Sequence, residues 1–428
     1  MIVLRDYQVA ALDACRREYA RGKRWPLLVL PTGAGKTATA VDACVRAAKK
    51  GERVLWTAPR RELVTQAAET IRRAGIDPGV ILADHERGDT ASPIQVAGLQ
   101  TLLAKPRDTW PDASFVVSDE AHHVVSDEWS QIAKGYPTAR GIGLTATPER
   151  GDGRSLGDAF DALVVGATIA ELTARGFLVP CDVVAPARKL RGLATDPAAA
   201  VLKHAEGRPT VVFCTNVKHA RDVADELHRE GITAACVDGQ MPNDRREEAL
   251  ARFAAGGLQV LTNVSVLTEG WDAPIAAVAV LARGCSSASL YLQIVGRILR
   301  PAPGKTRALL VDLTGCVHTH GLPDEEREYS LEGTAIRRGK RTPITQCLAC
   351  GAVFRPRRTC PACGRVAPAP RAPRIESAPV SRVVSVADRE ARAYRALLDV
   401  AMRRGFKPGW AKRVFAAKYG HLPAELAP

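Results

Sequence analysis

The apolar run Leu27-Leu28-Val29-Leu30 passes without a break into Pro31-Thr32-Gly33-Ala34-Gly35-Lys36-Thr37, and few folds accommodate a buried strand that ends in a glycine loop. Backbone N–H groups converge on an anion only where no Cβ obstructs the approach, which calls for glycine at positions such as Gly33 and Gly35. The lysine that follows can reach the β and γ phosphates of a nucleoside triphosphate, and the Thr37 hydroxyl can ligate Mg²⁺. The GxxxxGK[ST] spacing lacks its first glycine here, so a plain glycine turn opening a helix is the competing reading.

A second segment weighs against that plain turn. Phe115-Val116-Val117-Ser118 reads as a buried parallel strand and ends in Asp119-Glu120-Ala121-His122. Ligands of open α/β sheets sit at the carboxyl ends of strands. Asp119 can hold Mg²⁺ through water there, and Glu120 can polarise the water that attacks the γ phosphate. An N-cap with an acidic first turn explains either carboxylate singly. It does not explain the pair together with the upstream loop.

Further segments follow in order. Leu4-Arg5-Asp6-Tyr7-Gln8 precedes the first strand; Thr57-Ala58-Pro59-Arg60-Arg61-Glu62-Leu63, Gly98-Leu99-Gln100-Thr101 and Gly143-Leu144-Thr145-Ala146-Thr147-Pro148 lie in the first half. Val211-Val212-Phe213-Cys214-Thr215-Asn216, Thr262-Asn263, Glu269-Gly270-Trp271-Asp272 and Gln293-Ile294-Val295-Gly296-Arg297-Ile298-Leu299-Arg300 lie in the second. This series resembles the superfamily 2 helicases and translocases of the DExH or DEAH-box kind, over about residues 2 to 315. The resemblance implies that Arg5 and Gln8 recognise adenine, that Thr32, Gly33, Ala34, Gly35, Lys36, Thr37 and Asp119 hold the phosphates and Mg²⁺, and that Gly270 and Asp272 add to the ATP site. It further implies nucleic-acid contacts from Arg60, Gln100, Thr101, Thr215, Asn216 and Thr262, and coupling of hydrolysis to lobe movement through His122, Thr145 and Thr147.

Phosphoryl transfer needs positive charge on the developing transition state, and an arginine supplied across a cleft can provide it. Arg297 and Arg300 are three apart, hence on one face of a helix, and both are expected to project toward the γ phosphate. Gln293, four residues before Arg297, is expected to order the attacking water. On this reading ATP closes two lobes and hydrolysis releases them.

Both lobes are expected to be RecA-like parallel sheets. The first is seeded by Leu27–Leu30, Val54–Trp56, Ile94–Ala97, Phe115–Val117 and Gly141–Leu144; the second by Thr210–Phe213, Ala234–Val237, Gln259–Leu261, Ala277–Leu281 and Ala308–Val311. Hydrophobic residues make up 46% of the 428, enough to bury two cores. No apolar run approaches the roughly 20 residues that span a bilayer, and the first residues carry no signal-like segment, so a cytoplasmic location without membrane contact is expected. Of the eleven cysteines, seven are scattered singly and read as small buried hydrophobes in a reducing compartment.

The other four differ. Cys347-Leu348-Ala349-Cys350 and Cys360-Pro361-Ala362-Cys363 form two CxxC pairs, each followed by glycine, the pattern of a tetrahedral structural Zn²⁺ site. A redox CxxC needs only one pair, and disulfides fit a reducing compartment badly. From Gly333 onward there are 20 Lys and Arg against 5 Asp and Glu, a net +15, whereas residues 1 to 332 carry −1. A basic module on a neutral core is the footprint of phosphate-backbone contact.

Pro368 to Val380 reads as an extended Pro/Arg-rich linker. Ala387 to Arg404 reads as a helix with Tyr394, Leu397, Leu398 and Ala401 inward, ended by Gly405, with a second helix after Lys407 and Trp410 in the hairpin core. The zinc pairs with this hairpin resemble bacterial RadD-type and phage helicases. The expected division is 1–180, 181–332, a zinc ribbon at 333–366, a linker at 367–386 and a helical hairpin at 387–428.

An ATP-dependent DNA helicase or translocase of repair, recombination or phage replication is the favoured expectation, with a single-strand-binding or recombination protein as a partner. RNA is the alternative substrate. The stretch from Pro274 to Tyr291 is too short for the strand-separating hairpin of DEAH-box RNA helicases, and Thr145 and Gln293 depart from the Ser and His of DEAD-box enzymes. A restriction motor would need a separate nuclease, since the chain has no acidic-ExK motif. A non-hydrolysing clamp switched by ATP is disfavoured by intact Glu120, Gln293, Arg297 and Arg300.

Overall fold

In the computed structural model, which describes residues 2–83, 91–123, 126–150, 153–268, 270–332, 337–338, 344–366, 386–407 and 409–419, the apolar runs form two parallel sheets in succession. The first comprises β1 (Pro26–Val29), β2 (Val54–Ala58), β3 (Gly79–Ile81), β4 (Ile94–Gly98), β5 (Phe115–Ser118), β6 (Arg140–Thr145) and β7 (Ala162–Val165), in the order β3-β4-β2-β5-β6-β1-β7. The second comprises β8 (Cys181–Val184), β9 (Thr210–Cys214), β10 (Ala234–Val237), β11 (Val260–Asn263), β12 (Val278–Ala282) and β13 (Ala308–Asp312), in the order β10-β11-β9-β12-β13-β8. β1, β2, β5, β9, β11, β12 and β13 are buried at every residue. That is the condition of a parallel sheet with helices on both faces, and it explains why these strands read as unbroken apolar runs. Trp56 and Phe160 in the first lobe and Phe213, Phe253 and Tyr291 in the second are fully enclosed, each worth about 1.5–3 kcal/mol of burial.

All ten seeded strands form. β3, β7 and β8 are additional, and β8 occupies the stretch expected to be an interlobe boundary. Beyond β8 the second sheet continues antiparallel through Ala352–Phe354 and then Thr345–Gln346, the hairpin that carries the first CxxC pair. Arg337–Arg338 pairs antiparallel with Arg327–Glu328. The carbonyl of Leu331 accepts from Leu156 N (2.7 Å), Gly157 N (2.9 Å) and Ser155 Oγ (2.8 Å), tying the end of the second lobe to the first. Arg337–Arg338, Thr345–Gln346 and Ala352–Phe354 are therefore paired with strands of the second lobe, and by contact the chain divides into Met1–Ala367 and Pro368–Pro428.

The second unit holds helices Val386–Arg403 and Gly409–Tyr419. Gly405, at φ +70°, ends the first. Tyr394 meets Phe415 edge-on at 5.6 Å, with Ala411 and Phe415 fully enclosed. Trp410, expected in the core, is half-buried and packs on Phe406 at 5.0 Å; Phe415 takes the central place. The expected linker lies outside the described residues but for Val386, which opens the first helix.

Candidate functional site

The glycine loop leaves β1 at its carboxyl end and enters helix Lys36–Lys49 through Gly35. Gly33 and Gly35 have φ of +89° and +78°, a region that side-chain-bearing residues rarely adopt. A Cβ on Gly35 would stand 2.5 Å from Gln8 Nε2. Gln8 closes the loop from beneath, since its Nε2 donates to Ala34 O at 3.0 Å and its Oε1 accepts from Arg5 N at 2.9 Å; Tyr7 Oη also donates to Ala34 O, at 2.8 Å. The amide of Gln8 is thus bound to the loop itself. Arg5 lines the cleft with its guanidinium 4.7 Å from the centroid of Phe177, an aromatic with no motif to announce it.

Asp119 and Glu120 follow β5 as the sequence indicated. Glu120 has φ +45°, strained for a residue with a side chain, and its N–H donates to Asp119 Oδ1 at 3.0 Å. Its Oε1 lies 3.8 Å from Lys36 Nζ. Its buried Oε2 has no hydrogen-bond partner and lies 3.5 Å from His122 Nδ1. An unsatisfied buried carboxylate oxygen is costly unless something else fills its coordination. The surrounding cleft, about 590 Å³, is lined by Thr32, Gly33, Gly35, Lys36, Thr37, Asp119, Glu120, Gly270, Asp272, Arg297 and Arg300. A triphosphate with Mg²⁺ suits this donor set, with the loop amides and Lys36 for phosphate and the oxygens of Thr37 and Asp119 for the metal.

Across the cleft runs helix Ala288–Ile298 of the second lobe. Gly296 permits its approach, because a Cβ there would stand 2.4 Å from Thr32 Cβ. Gln293 Nε2 donates to His122 Nε2 at 3.1 Å, and His122 Nδ1 donates to Thr145 Oγ1 at 3.0 Å. Thr145 Oγ1 also accepts from Thr147 N at 3.1 Å and donates to Thr147 O at 2.8 Å, which leaves it an acceptor toward the imidazole. Gln293 was expected to order water; here its amide joins the lobes through His122. Arg297 was expected to reach toward phosphate, but its guanidinium donates to Thr268 O at 3.0 and 2.8 Å and to Trp271 O at 2.6 Å, holding the loop that bears Gly270. Arg300 pairs with Asp272, its stem lies beside Gly33, and burial draws its pKa down to about 10. Glu269 lies outside the described residues.

The residues expected to meet nucleic acid sit mostly at the carboxyl edges of both sheets. Arg60 follows β2, Gln100 and Thr101 follow β4, and Thr215 and Asn216 follow β9; Arg60, Gln100, Thr215 and Asn216 are exposed and Thr101 half-buried. Arg60 lines a groove of about 290 Å³ with Gly239, Arg246 and Ser265 of the second lobe. Arg246 crosses it to Glu62 at 3.1 Å. Asn216 is occupied in part as an N-cap, accepting from His219 N at 2.9 Å. Thr262 is corrected: it is fully buried within β11 and its hydroxyl donates to Ala220 O at 2.7 Å, so its side chain meets no ligand.

The four cysteines of the ribbon converge. All four Sγ atoms lie within 4.8 Å of one another, with Cys347–Cys363 at 3.6 Å and Cys350–Cys360 at 3.7 Å. A tetrahedron with metal–sulfur bonds of about 2.3 Å has edges of roughly 3.8 Å, so the set fits Zn²⁺. Backbone N–H groups of Cys350 and Ala349 hold the Cys347 thiol below its usual range. The scattered cysteines are free thiols; Cys15, Cys44, Cys214, Cys285 and Cys316 are buried and Cys181 and Cys236 half-buried.

Comparison with known proteins agrees with this geometry. Residues 1–150 match the family described as type III restriction enzyme, res subunit, and residues 195–302 match the helicase conserved C-terminal domain. The chain is a superfamily 2 helicase with these two domains. Among curated relatives, the 51.5 kDa protein of a Lactococcus phage is 26% identical over 76% of this chain and 74% of its own length. The DNA 3'-5' translocase XPB2 of Sulfurisphaera tokodaii is 28% identical over 73% of this chain and 81% of its own. A fragment of a putative HsdR subunit of a type I restriction enzyme from Vibrio vulnificus shares the fold, with a TM-score of 0.61 at 24% identity over 77% of this chain and 66% of that one.

Proposed function

We infer that the protein is an ATP-dependent DNA helicase or translocase, whose hydrolysis of ATP moves it along DNA or remodels the duplex. The observation that carries this is the run of contacts from Glu120 through His122 to Gln293, which joins the hydrolytic carboxylate of one lobe to the arginine-bearing helix of the other.

Lys36 and the loop amides orient the γ phosphate, and Asp119 and Thr37 would hold Mg²⁺, which supplies charge neutralisation between the β and γ phosphates when bound. Glu120, which lines the cleft beside Lys36, takes a proton from the attacking water. Arg300 is the better placed of the two arginines to meet developing charge. Its partner among the described residues, Asp272, can be exchanged for phosphate, whereas Arg297 is held by carbonyls. The exposed side chains of Arg60, Gln100 and Thr215 provide a track across both lobes. The ribbon cysteines would hold a structural Zn²⁺, and the basic residues beyond Gly333 add phosphate contacts.

The match of residues 1–150 to a restriction subunit supports a second reading, a restriction motor working with a separate nuclease. Measuring ATP hydrolysis with single-stranded DNA, duplex DNA and RNA as separate activators tests the first reading. Stimulation by DNA above RNA is expected. Stimulation by RNA alone overturns the DNA assignment, and cleavage of duplex DNA appearing only with an added nuclease subunit moves the protein to the second reading.

A further inference from the structure

Helix Ala288–Ile298 is capped from both lobes. Its own Ser287 Oγ accepts from Leu290 N at 3.1 Å, while the N–H of Ser289 donates to Glu149 Oε2 at 3.2 Å. Glu149 belongs to the first lobe, just beyond Thr145–Thr147, and its N–H is held by Thr147 O at 2.9 Å. The Ser289 hydroxyl bonds the Thr147 hydroxyl, and both are buried. A carboxylate at a helix N-terminus satisfies an N–H that the helix cannot and meets the positive end of its dipole. Here the carboxylate and the helix belong to different lobes.

Ser289, Gln293 and Arg297 are spaced four apart on one helix face. The first two are attached to the other lobe, at Thr147 with Glu149 and at His122. Two attachments one turn apart fix both the rotation and the axial position of the helix, and with them the placement of Arg297 and Arg300. We propose that Glu149 and Ser289 are positioning residues that clasp the closed lobes, setting the register in which the arginine helix meets the glycine loop. The proposal rests on the reading of this cleft as the hydrolytic site.

Because the clasp forms only when the lobes meet, it acts on the closed complex more than on nucleotide capture. Glu149→Ala is expected to lower kcat for DNA-stimulated ATP hydrolysis about tenfold, the loss of one charge-assisted bond, with KM for ATP within about twofold of the parent and Tm unchanged. Ser289→Ala removes the bond to the Thr147 hydroxyl but keeps the N–H from which Glu149 accepts; it should lower kcat to a similar extent, and the double variant should lose more than either single one, since two separate bonds go. Glu149→Gln, which keeps an acceptor oxygen, should recover most of the rate. Amide hydrogen exchange, measured on full-length protein with a non-hydrolysable ATP analogue, gives a readout independent of turnover. The Ser289 amide should exchange faster in Glu149→Ala than in the parent. Absence of DNA-stimulated hydrolysis in the parent would refute the functional reading and leave the exchange test standing. Parent-like kcat in Glu149→Ala, unchanged exchange at Ser289, or a lowered Tm with kcat intact would each overturn the clasp.

Discussion

Lys36 opens the helix after the glycine loop and lies 3.8 Å from Glu120 Oε1, and substituting each in turn separates binding from chemistry. Glu120→Gln should bind ATP and lose nearly all stimulated turnover, because the proton acceptor goes while the phosphate cradle stays. Lys36→Ala should lose turnover together with nucleotide affinity. Assays of ATP binding and hydrolysis on the same preparations decide it, and turnover near the parent's in Glu120→Gln would remove the assignment. The two arginines divide differently from what their spacing suggested. Arg300→Ala is expected to lose roughly a thousandfold in turnover with an unchanged Tm. Arg297→Ala should also lower Tm by several degrees, since it strands two buried carbonyls at a cost of about 3 kcal/mol or more. The sequence reveals residue types at fixed spacings, enough to place the loop after β1 and the two carboxylates after β5. It does not reveal that β11 lies inside the sheet and is buried at every residue, which encloses the Thr262 side chain against helix residue Ala220. Nor could it reveal that Arg297 would be engaged by the carbonyls of Thr268 and Trp271.

At the level of elements, the central strands were legible because burial on both faces leaves an unbroken apolar run. β3, β7 and β8 are three or four residues long and lie at or toward sheet edges, and β7 and β8 are only partly buried along their length, so their runs are weak. The pairing of Ala352–Phe354 with β8 joins segments some 170 residues apart, a relation no local pattern encodes. Helix Ala288–Ile298 shows how an element's sequence answers to its neighbour. Glycine inside a helix costs about 0.5–1 kcal/mol relative to alanine, yet Gly296 faces Thr32. Gly296→Ala should therefore leave Tm level or raise it slightly while cutting turnover more than tenfold, as the added methyl pushes the helix off the glycine loop. Thermal unfolding set beside ATPase rates checks both halves; full activity in that variant would mean the lobes do not close this tightly during hydrolysis.

For the whole molecule, the distribution of charge and the weave of the chain pull apart. Net positive charge begins at Gly333, whereas strand pairing ties Arg337–Arg338, Thr345–Gln346 and Ala352–Phe354 into the second lobe. Truncation after Glu332 would strip a sheet as well as remove charge, so a cut after Val366 is the cleaner test. That variant should bind DNA with lower affinity and a flatter dependence on salt, while hydrolysing ATP at high DNA concentration. Binding measured at several salt concentrations reads this, and an unchanged slope would assign the basic residues to solvent or to a protein partner. Elemental analysis should find one zinc per chain, lost when any of Cys347, Cys350, Cys360 or Cys363 becomes Ser; freshly purified protein without zinc would rule the metal out.

The ribbon hairpin is also the only thing that covers the outer side of β8 among the described residues. Were the cysteines to hold Zn²⁺ and then lose it, and the hairpin to come away, that strand would be left with a row of unmatched amides and carbonyls, an open template for the same strand of another copy. Metal supply would thus set how crowded a solution the protein tolerates. Starved of zinc, it should clump into β-rich assemblies.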